Sequence, residues 1–214
     1  MKTVLIIGAG QFGIHIAKKM NELNCEIMAV DSDEGRINDI LALVTNAQIG
    51  DSTNETFMRS LGIPDFDVCI VTISSNFQNS LETTALLKDL GARKVIARAQ
   101  NDVQQKFLLR NGADETVYPE KQTAYRLATK EASDDILDTF EIDPAVSIYE
   151  VRVPKEWDGK TIAAIDIRRK YQLNVIAVRA ENRLTVPIPD MLLRTGDQVL
   201  VIGSPDDLRR CFRI

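Results

Sequence analysis

Three glycines in Gly8-Ala-Gly10-Gln-Phe-Gly13 follow the apolar run Thr3-Val-Leu-Ile-Ile7 and open directly into a helical pattern. That spacing suits phosphate binding. Gly8 permits a tight turn, Gly10 lets the backbone approach a pyrophosphate, and Gly13 lets the helix pack closely on the strand. Gln11 and Phe12 fill the places between them. The helix N-terminus adds free N–H groups and a positive dipole end. A glycine motif alone also fits an empty turn, so its neighbours decide.

The second apolar run, Glu26-Ile-Met-Ala-Val30, ends in Asp31, 23 residues after Gly8. A carboxylate there accepts hydrogen bonds from ribose hydroxyls and repels a 2′-phosphate. Ser32 and Asp33 follow, with no arginine, so NAD, ATP, ADP or AMP is favoured over NADP. Asp31 would otherwise cap the next helix, but Asp33 can do that and free it. Asp51 and Ser52, in Gly50-Asp-Ser52, end the third run. They suit contact with adenine or its ribose, and equally an Asx turn or helix cap. Ser74 and Ser75 end the fourth run, across from the glycine loop, where Ser75 or Asn76 can cap a helix. Arg98 lies inside Val95-Ile-Ala-Arg-Ala99 and needs a partner. A phosphate or a carboxylate such as Asp51 would serve. Glu120 follows Tyr118-Pro119 at a helix start, where by pattern alone it complements the dipole.

The elements that must position these groups alternate strand and helix. Strands are expected at 3–7, 26–30, 47–49, 68–73, 95–99 and 115–118, with helices near 11–23, 34–44, 54–61, 76–90 and 102–111. Near-continuous apolar strands imply a sheet covered on both faces. The expected fold is α/β: a Rossmann-like doubly wound parallel sheet, order 3-2-1-4-5-6, with a small α+β C-terminal module. Residues 1–118 form the nucleotide-binding domain in this reading, 119–143 a connector helix or dimer crossover, and 144–214 the second module. The connector helix runs from Pro119 to about Phe140, and Ile142-Asp-Pro144 marks its boundary. The remainder reads as β-α-β-β-β-α, with one helix over Thr161 to Tyr171 and a last one from Ser204-Pro205.

Composition narrows the function. The 214 residues are 44% hydrophobic and 27% charged, with net charge -5. An acidic chain without a basic stripe argues against nucleic acid as a partner. Arg209, Arg210 and Arg213 read as a solvated helix face. No apolar stretch reaches membrane-span length, and Met1-Lys2 leads directly into a core strand, so a cytoplasmic protein is expected. Cys25, Cys69 and Cys211 lack metal spacing, and Cys69 reads as a small core residue. The single histidine, His15, reads as a helix-surface or packing residue.

Taken together, the chain resembles the RCK (KTN) regulatory proteins of bacterial potassium transport, of the KtrA/TrkA type. The resemblance rests on Gly8-Ala-Gly-Gln-Phe-Gly13, Asp31, Ile49-Gly-Asp-Ser-Thr53 and Val117-Tyr-Pro-Glu120. In the second module it rests on Ile162, Ile167-Arg168, Leu173-Asn-Val-Ile-Ala-Val178 and Thr195-Gly-Asp197. It covers essentially the whole chain. It implies a non-catalytic gating subunit at the inner face of the membrane, bound to an integral membrane potassium channel or transporter. It further implies homodimers assembled into an octameric ring that responds to ATP or ADP. Asp31 and Asp51 would hold adenosine, and Glu120 would help hold a divalent cation, Mg2+ or Ca2+, between phosphates at the dimer interface. Cyclic di-AMP would bind the second module at Ile162, Arg168, Asn174 and Pro189.

One position departs. Members resembling Gly-x-Gly-Arg-Phe-Gly place an arginine on the terminal phosphate; Gln11 stands there in this chain. A neutral amide bonds phosphate more weakly than a charge-assisted pair, so ATP, ADP, AMP and NAD(H) all stay open. The competing functions are a small NAD-dependent oxidoreductase and a redox-sensing repressor. The first lacks an acid–base pair aimed at the crevice, and the second lacks a basic DNA-reading helix.

Overall fold

Strands with no polar face must be covered on both sides, and the first unit, Met1–Glu120, is arranged to do so. The computed structural model describes residues 1–143 and 145–212. β1 (Thr3–Ile7), β2 (Glu26–Asp31), β3 (Asn46–Ile49), β4 (Val68–Val71), β5 (Val95–Arg98) and β6 (Glu115–Val117) form one parallel sheet. Its order is β3-β2-β1-β4-β5-β6, as expected from the sequence. α1 (Gln11–Glu22), α2 (Glu34–Ile40), α3 (Glu55–Ser60), α4 (Phe77–Asp89) and α5 (Asp102–Arg110) connect the strands.

Alternation along β1 divides the core in two. Val4 and Ile6 pack with Ala17 of α1 and with Ile37 and Ile40 of α2. Leu5 and Ile7 face the other way, toward Met58 of α3, Leu87 of α4 and Leu108 of α5. Cys69 lies in this second layer, and burial pushes its thiol up to about 12. A thiol that stays protonated at neutral pH is a packing group, not a nucleophile. β1 pairs with both β2 and β4. The chain therefore reverses its winding direction there, and the crevice at the carboxyl ends of these strands is where a doubly wound sheet binds ligands.

The second unit, Lys121–Ile214, has its own core and an antiparallel sheet. α6 (Pro119–Glu131) spans the division between the units. Then come β7 (Ile136–Asp143), β8 (Val146–Arg152), α7 (Ile162–Ile165), α8 (Ile167–Tyr171), β9 (Asn174–Ala180), β10 (Arg183–Thr185), β11 (Gln198–Gly203) and α9 (Pro205–Phe212). The sheet order is β10-β9-β11-β8-β7. Tyr149, Val151, Leu173, Val178, Val199 and Val201 fill its core with Trp157 and Phe212. The last two rings are tilted with centroids 5.4 Å apart.

Two expectations need correction here. The helix from Pro119 stops at Glu131, not near Phe140, and 136–143 is a strand antiparallel to β8. Ser133 makes the break. Its hydroxyl accepts the Asp135 N–H at 3.2 Å and its carbonyl accepts the Ile136 N–H at 3.2 Å. Ser and Asp compete in this way with helical hydrogen bonding. The helix expected over 161–171 is two pieces divided by Asp166, whose φ is +54°. Ile165 and Ile167 are both buried, and residues two apart on a continuous helix point about 200° apart. The left-handed residue between them brings both to one core. Pro144 and Arg213 lie outside the described residues; Arg209 and Arg210 pair with Asp206 and Asp207 on α9.

Candidate functional site

The glycine loop joins β1 to α1 and is held by close backbone contacts. Gly8 has φ +104°, and a Cβ there would lie 2.8 Å from Thr72 Oγ1. The Thr72 hydroxyl donates to the Gly8 carbonyl. A Cβ on Gly13 would lie 2.2 Å from the Gly8 carbonyl oxygen, so helix and loop touch as the motif requires. Gly10 differs from both. Its φ is -73°, and a Cβ added to it would meet no atom within 4 Å. No atom of the described residues demands glycine at that position.

Gly10 is also the N-cap of α1, with no side chain to bond the first-turn N–H groups and no acidic residue in that turn. The helices α2, α3, α4 and α5 are capped by Asp33, Asn54, Asn76 and Asn101. Asp33 takes the Arg36 N–H at 3.0 Å, which leaves Asp31 free of the capping role. The open N-terminus of α1 faces a crevice of about 440 Å³.

Gly8, Gly10, Gln11, Phe12, Asp31, Ser32, Asp51, Ser52, Ser74, Ser75 and Arg98 all line this crevice. Gly13 is not on its wall and acts through packing. Asp31 is buried at the end of β2. Its Oδ2 accepts the Ala9 N–H at 2.8 Å, its Oδ1 accepts the Asp33 N–H at 2.9 Å, and Arg36 Nη1 lies 3.6 Å from Oδ2. Asp51 forms the Asx turn foreseen as its alternative: Oδ1 accepts the Thr53 N–H at 2.9 Å and the Thr53 hydroxyl at 2.7 Å. Those bonds, the backbone one foremost, hold its carboxyl below the ordinary aspartate range. Ser52 is buried and shares a 2.8 Å hydrogen bond with Thr83.

Arg98 is not paired with Asp51. Its partner is Glu120, in the first turn of α6. The Asp51 carboxylate is already engaged by Thr53, whereas Arg98 ends the strand that neighbours β6, and β6 leads into α6. The Arg98 guanidinium also lies over the ring of Phe12 in the glycine loop, 5.2 Å from its centroid. Burial raises the Glu120 pKa, but its own backbone N–H and Arg98 more than offset this and leave it lowered. Among the described residues no group of three or more His, Cys, Asp or Glu is placed to hold a metal.

Several wall residues escaped the sequence reading. Arg36, Asp39, Thr72 and Asn79 all line the crevice. Thr72 carried a signal, as the hydroxyl that closes an apolar strand. Arg36 and Asp39 carried none, because only the helical phase of α2 brings them round to the crevice. In the second unit, Ile162 opens α7, Arg168 sits on α8, Asn174 opens β9 and Pro189 precedes β11. The Ile162 N–H donates to the Met191 carbonyl at 3.1 Å and the Ala163 N–H to Pro189 at 2.9 Å. These bonds bring Ile162 and Pro189 together, while Arg168, Asn174 and Pro189 are exposed.

A doubly wound sheet with an uncapped glycine-loop helix, followed by a small antiparallel module, defines a Rossmann-type domain fused to a second domain. The TrkA-N domain family matches residues 4–119 and the TrkA-C domain family residues 147–214, and the chain belongs to this TrkA-N/TrkA-C family. It is 37% identical over 210 residues to Ktr system potassium uptake protein C of Bacillus subtilis (strain 168), covering 98% of this chain and 95% of that protein. It is 31% identical to Ktr system potassium uptake protein A of the same organism, with the same coverage. Among solved structures, the GsuK RCK domain shares the fold with a TM-score of 0.70. That match is 19% identical and covers 97% of this chain and 46% of that one. The GsuK channel bound to NAD aligns with a TM-score of 0.56, is 21% identical, and covers 100% of this chain and 38% of that one.

Proposed function

We propose that the chain is the regulatory subunit of a potassium uptake system and that an adenine nucleotide in the first unit's crevice is its signal. Gly10 carries this reading. Its glycine is unexplained by protein contacts and explained by a phosphate lying against the backbone. The uncapped N-terminus of α1 and the buried carboxylate of Asp31 supply the matching anion and ribose sites. The relationship to the Ktr system potassium uptake proteins supports the transport role. His15 is exposed on α1 and is not on the crevice wall, which favours a signal over a hydride-transfer cofactor.

The ligand is ATP or ADP, or NAD(H), and Asp31 and Asp51 face its adenosine end. The wall carries the carboxylates Asp31, Asp39 and Asp51 and the cations Arg36 and Arg98, so a polyphosphate brings an excess of negative charge. A divalent cation, Mg2+ or Ca2+, offsets it. Glu120 and phosphate oxygens would hold it, in keeping with magnesium's preference for few carboxylates plus phosphates. α6 buries none of its residues, which suits a contact between two copies that build toward an octameric ring. That ring would dock on an integral membrane potassium channel or transporter subunit at the cytoplasmic face. Cyclic di-AMP would bind the second unit at Ile162, Arg168, Asn174 and Pro189.

A thermal-shift series with ATP, ADP, AMP, NAD, NADH and cyclic di-AMP, run with native mass measurement, tests the whole reading. Ligand-dependent stabilisation in a ring without NADH turnover is expected. Turnover of NADH with a small substrate overturns it. For the second unit, Asn174→Ala should abolish heat from cyclic di-AMP; no heat with the wild type removes that ligand.

A further inference from the structure

Arg98 is held in place but not satisfied. Its side chain is 16% exposed, yet its Nε is buried and has no hydrogen-bond partner among the described residues. The guanidinium carbon lies over the Phe12 ring, 5.2 Å from its centroid, a cation–π contact that ties it to the glycine loop. Its ionic partner Glu120 is 53% exposed. An ion pair with one half-exposed partner is weakly held. The cation is thus fixed and the carboxylate is the side that moves.

The sheet order adds a direction. Asp31 ends β2 and Arg98 ends β5, three strand spacings away along β2-β1-β4-β5. At about 4.8 Å per strand that is roughly 14 Å, with the open N-terminus of α1 between them. A nucleotide with its ribose on Asp31 and its first phosphates on the glycine loop extends its phosphate chain toward β5. A terminal phosphate carries more charge than a carboxylate and attracts a guanidinium more strongly at equal distance.

We propose that Arg98 is the residue that reads the terminal phosphate of a nucleoside triphosphate, and that Glu120 occupies Arg98 until that phosphate displaces it. This rests on the nucleotide reading above and gives it a specificity element. Gln11, at the front of α1, cannot supply the charge. Displacement also frees Glu120 for the divalent cation, so phosphate arrival and cation binding become coupled.

The test is calorimetry of the full chain with ATP and with AMP, in EDTA and then in magnesium. In EDTA, Glu120→Gln should raise the ATP-over-AMP affinity ratio about tenfold, because the competitor for Arg98 is gone, and Arg98→Gln should lower it about tenfold, the weight of one charge-assisted bond. Arg98→Lys should recover part of the ratio. In the double variant the Glu120→Gln gain should vanish. An unchanged ratio in Glu120→Gln overturns the proposal even if Arg98→Gln fails to fold. Wild-type protein that binds neither nucleotide overturns the nucleotide reading as well. Wild-type binding with a ratio indifferent to both residues overturns only this inference.

Discussion

The Asp31 carboxylate accepts the Ala9 N–H at 2.8 Å, which joins the end of β2 to the glycine loop through one buried side chain. Asp31 therefore shapes the loop as well as lining the crevice. Asp31→Ala should lower the unfolding free energy by about 1–3 kcal/mol, because a buried N–H is left unpaired. It should also weaken adenine nucleotide binding by about 1.5–3 kcal/mol. Urea unfolding and calorimetry on the same preparation separate the effects. A variant as stable and as tight as wild type would remove Asp31 from both roles.

Gly13 makes a purely structural prediction. Its absent Cβ would sit 2.2 Å from the Gly8 carbonyl oxygen and 3.1 Å from Thr72 Oγ1. The first obstacle is backbone and cannot rotate away. Gly13→Ala should cost about 1–3 kcal/mol by overpacking, read by urea unfolding. A change under about 0.5 kcal/mol, the size of an ordinary surface effect, would mean that helix and loop are not in close contact.

The first unit was legible because its four central strands, β2, β1, β4 and β5, are local apolar runs, and the strand order follows from parallel winding. The second unit was less so. β7 is a strand because β8 pairs with it, and that pairing has no trace in the periodicity of Ile136, Leu137 and Phe140. The Ser133-Asp134-Asp135 stop was the available signal. Asp166 shows the same limit: only a shared core for Ile165 and Ile167 explains the break. At the site, the glycines and Asp31 were readable from spacing. The partner of Arg98 was not, since Glu120 reaches it through the β5–β6 pairing and not through sequence proximity.

Asp138 gives the second unit a pH signature. Hydrogen bonds from Arg126, at 2.7 and 2.5 Å, are the largest cause holding its carboxyl below the ordinary aspartate value; burial opposes them and the Thr139 N–H adds to them. A folded pKa below the unfolded one adds stability that is fully present above the unfolded value, about 3.9, and is lost as pH falls through the folded value. Wild type and Asp138→Asn should therefore differ most at neutral pH and converge below about pH 4. Urea unfolding from pH 7 to pH 3 reads this directly. Parallel profiles would show that the pair contributes no pH-dependent stability.

Exposed apolar side chains on both sides of α6 predict assembly. Tyr125 and Leu127 are each 58% exposed on a helix that buries nothing. If two copies meet there, Tyr125→Asp with Leu127→Asp should reduce the native mass to that of smaller species while each unit stays folded by circular dichroism. An unchanged mass would place the contact elsewhere.

Gly10 tests the central claim most directly, since its backbone is in the ordinary extended region and its Cβ space is open. Calorimetry with ATP, ADP and NAD should show binding by the wild type. Gly10→Ala should lower stability by no more than about 1 kcal/mol, the cost of alanine at an N-cap, and lose that binding. A Gly10→Ala protein that binds these nucleotides as tightly as wild type, or a wild type that binds none of them, would contradict the account.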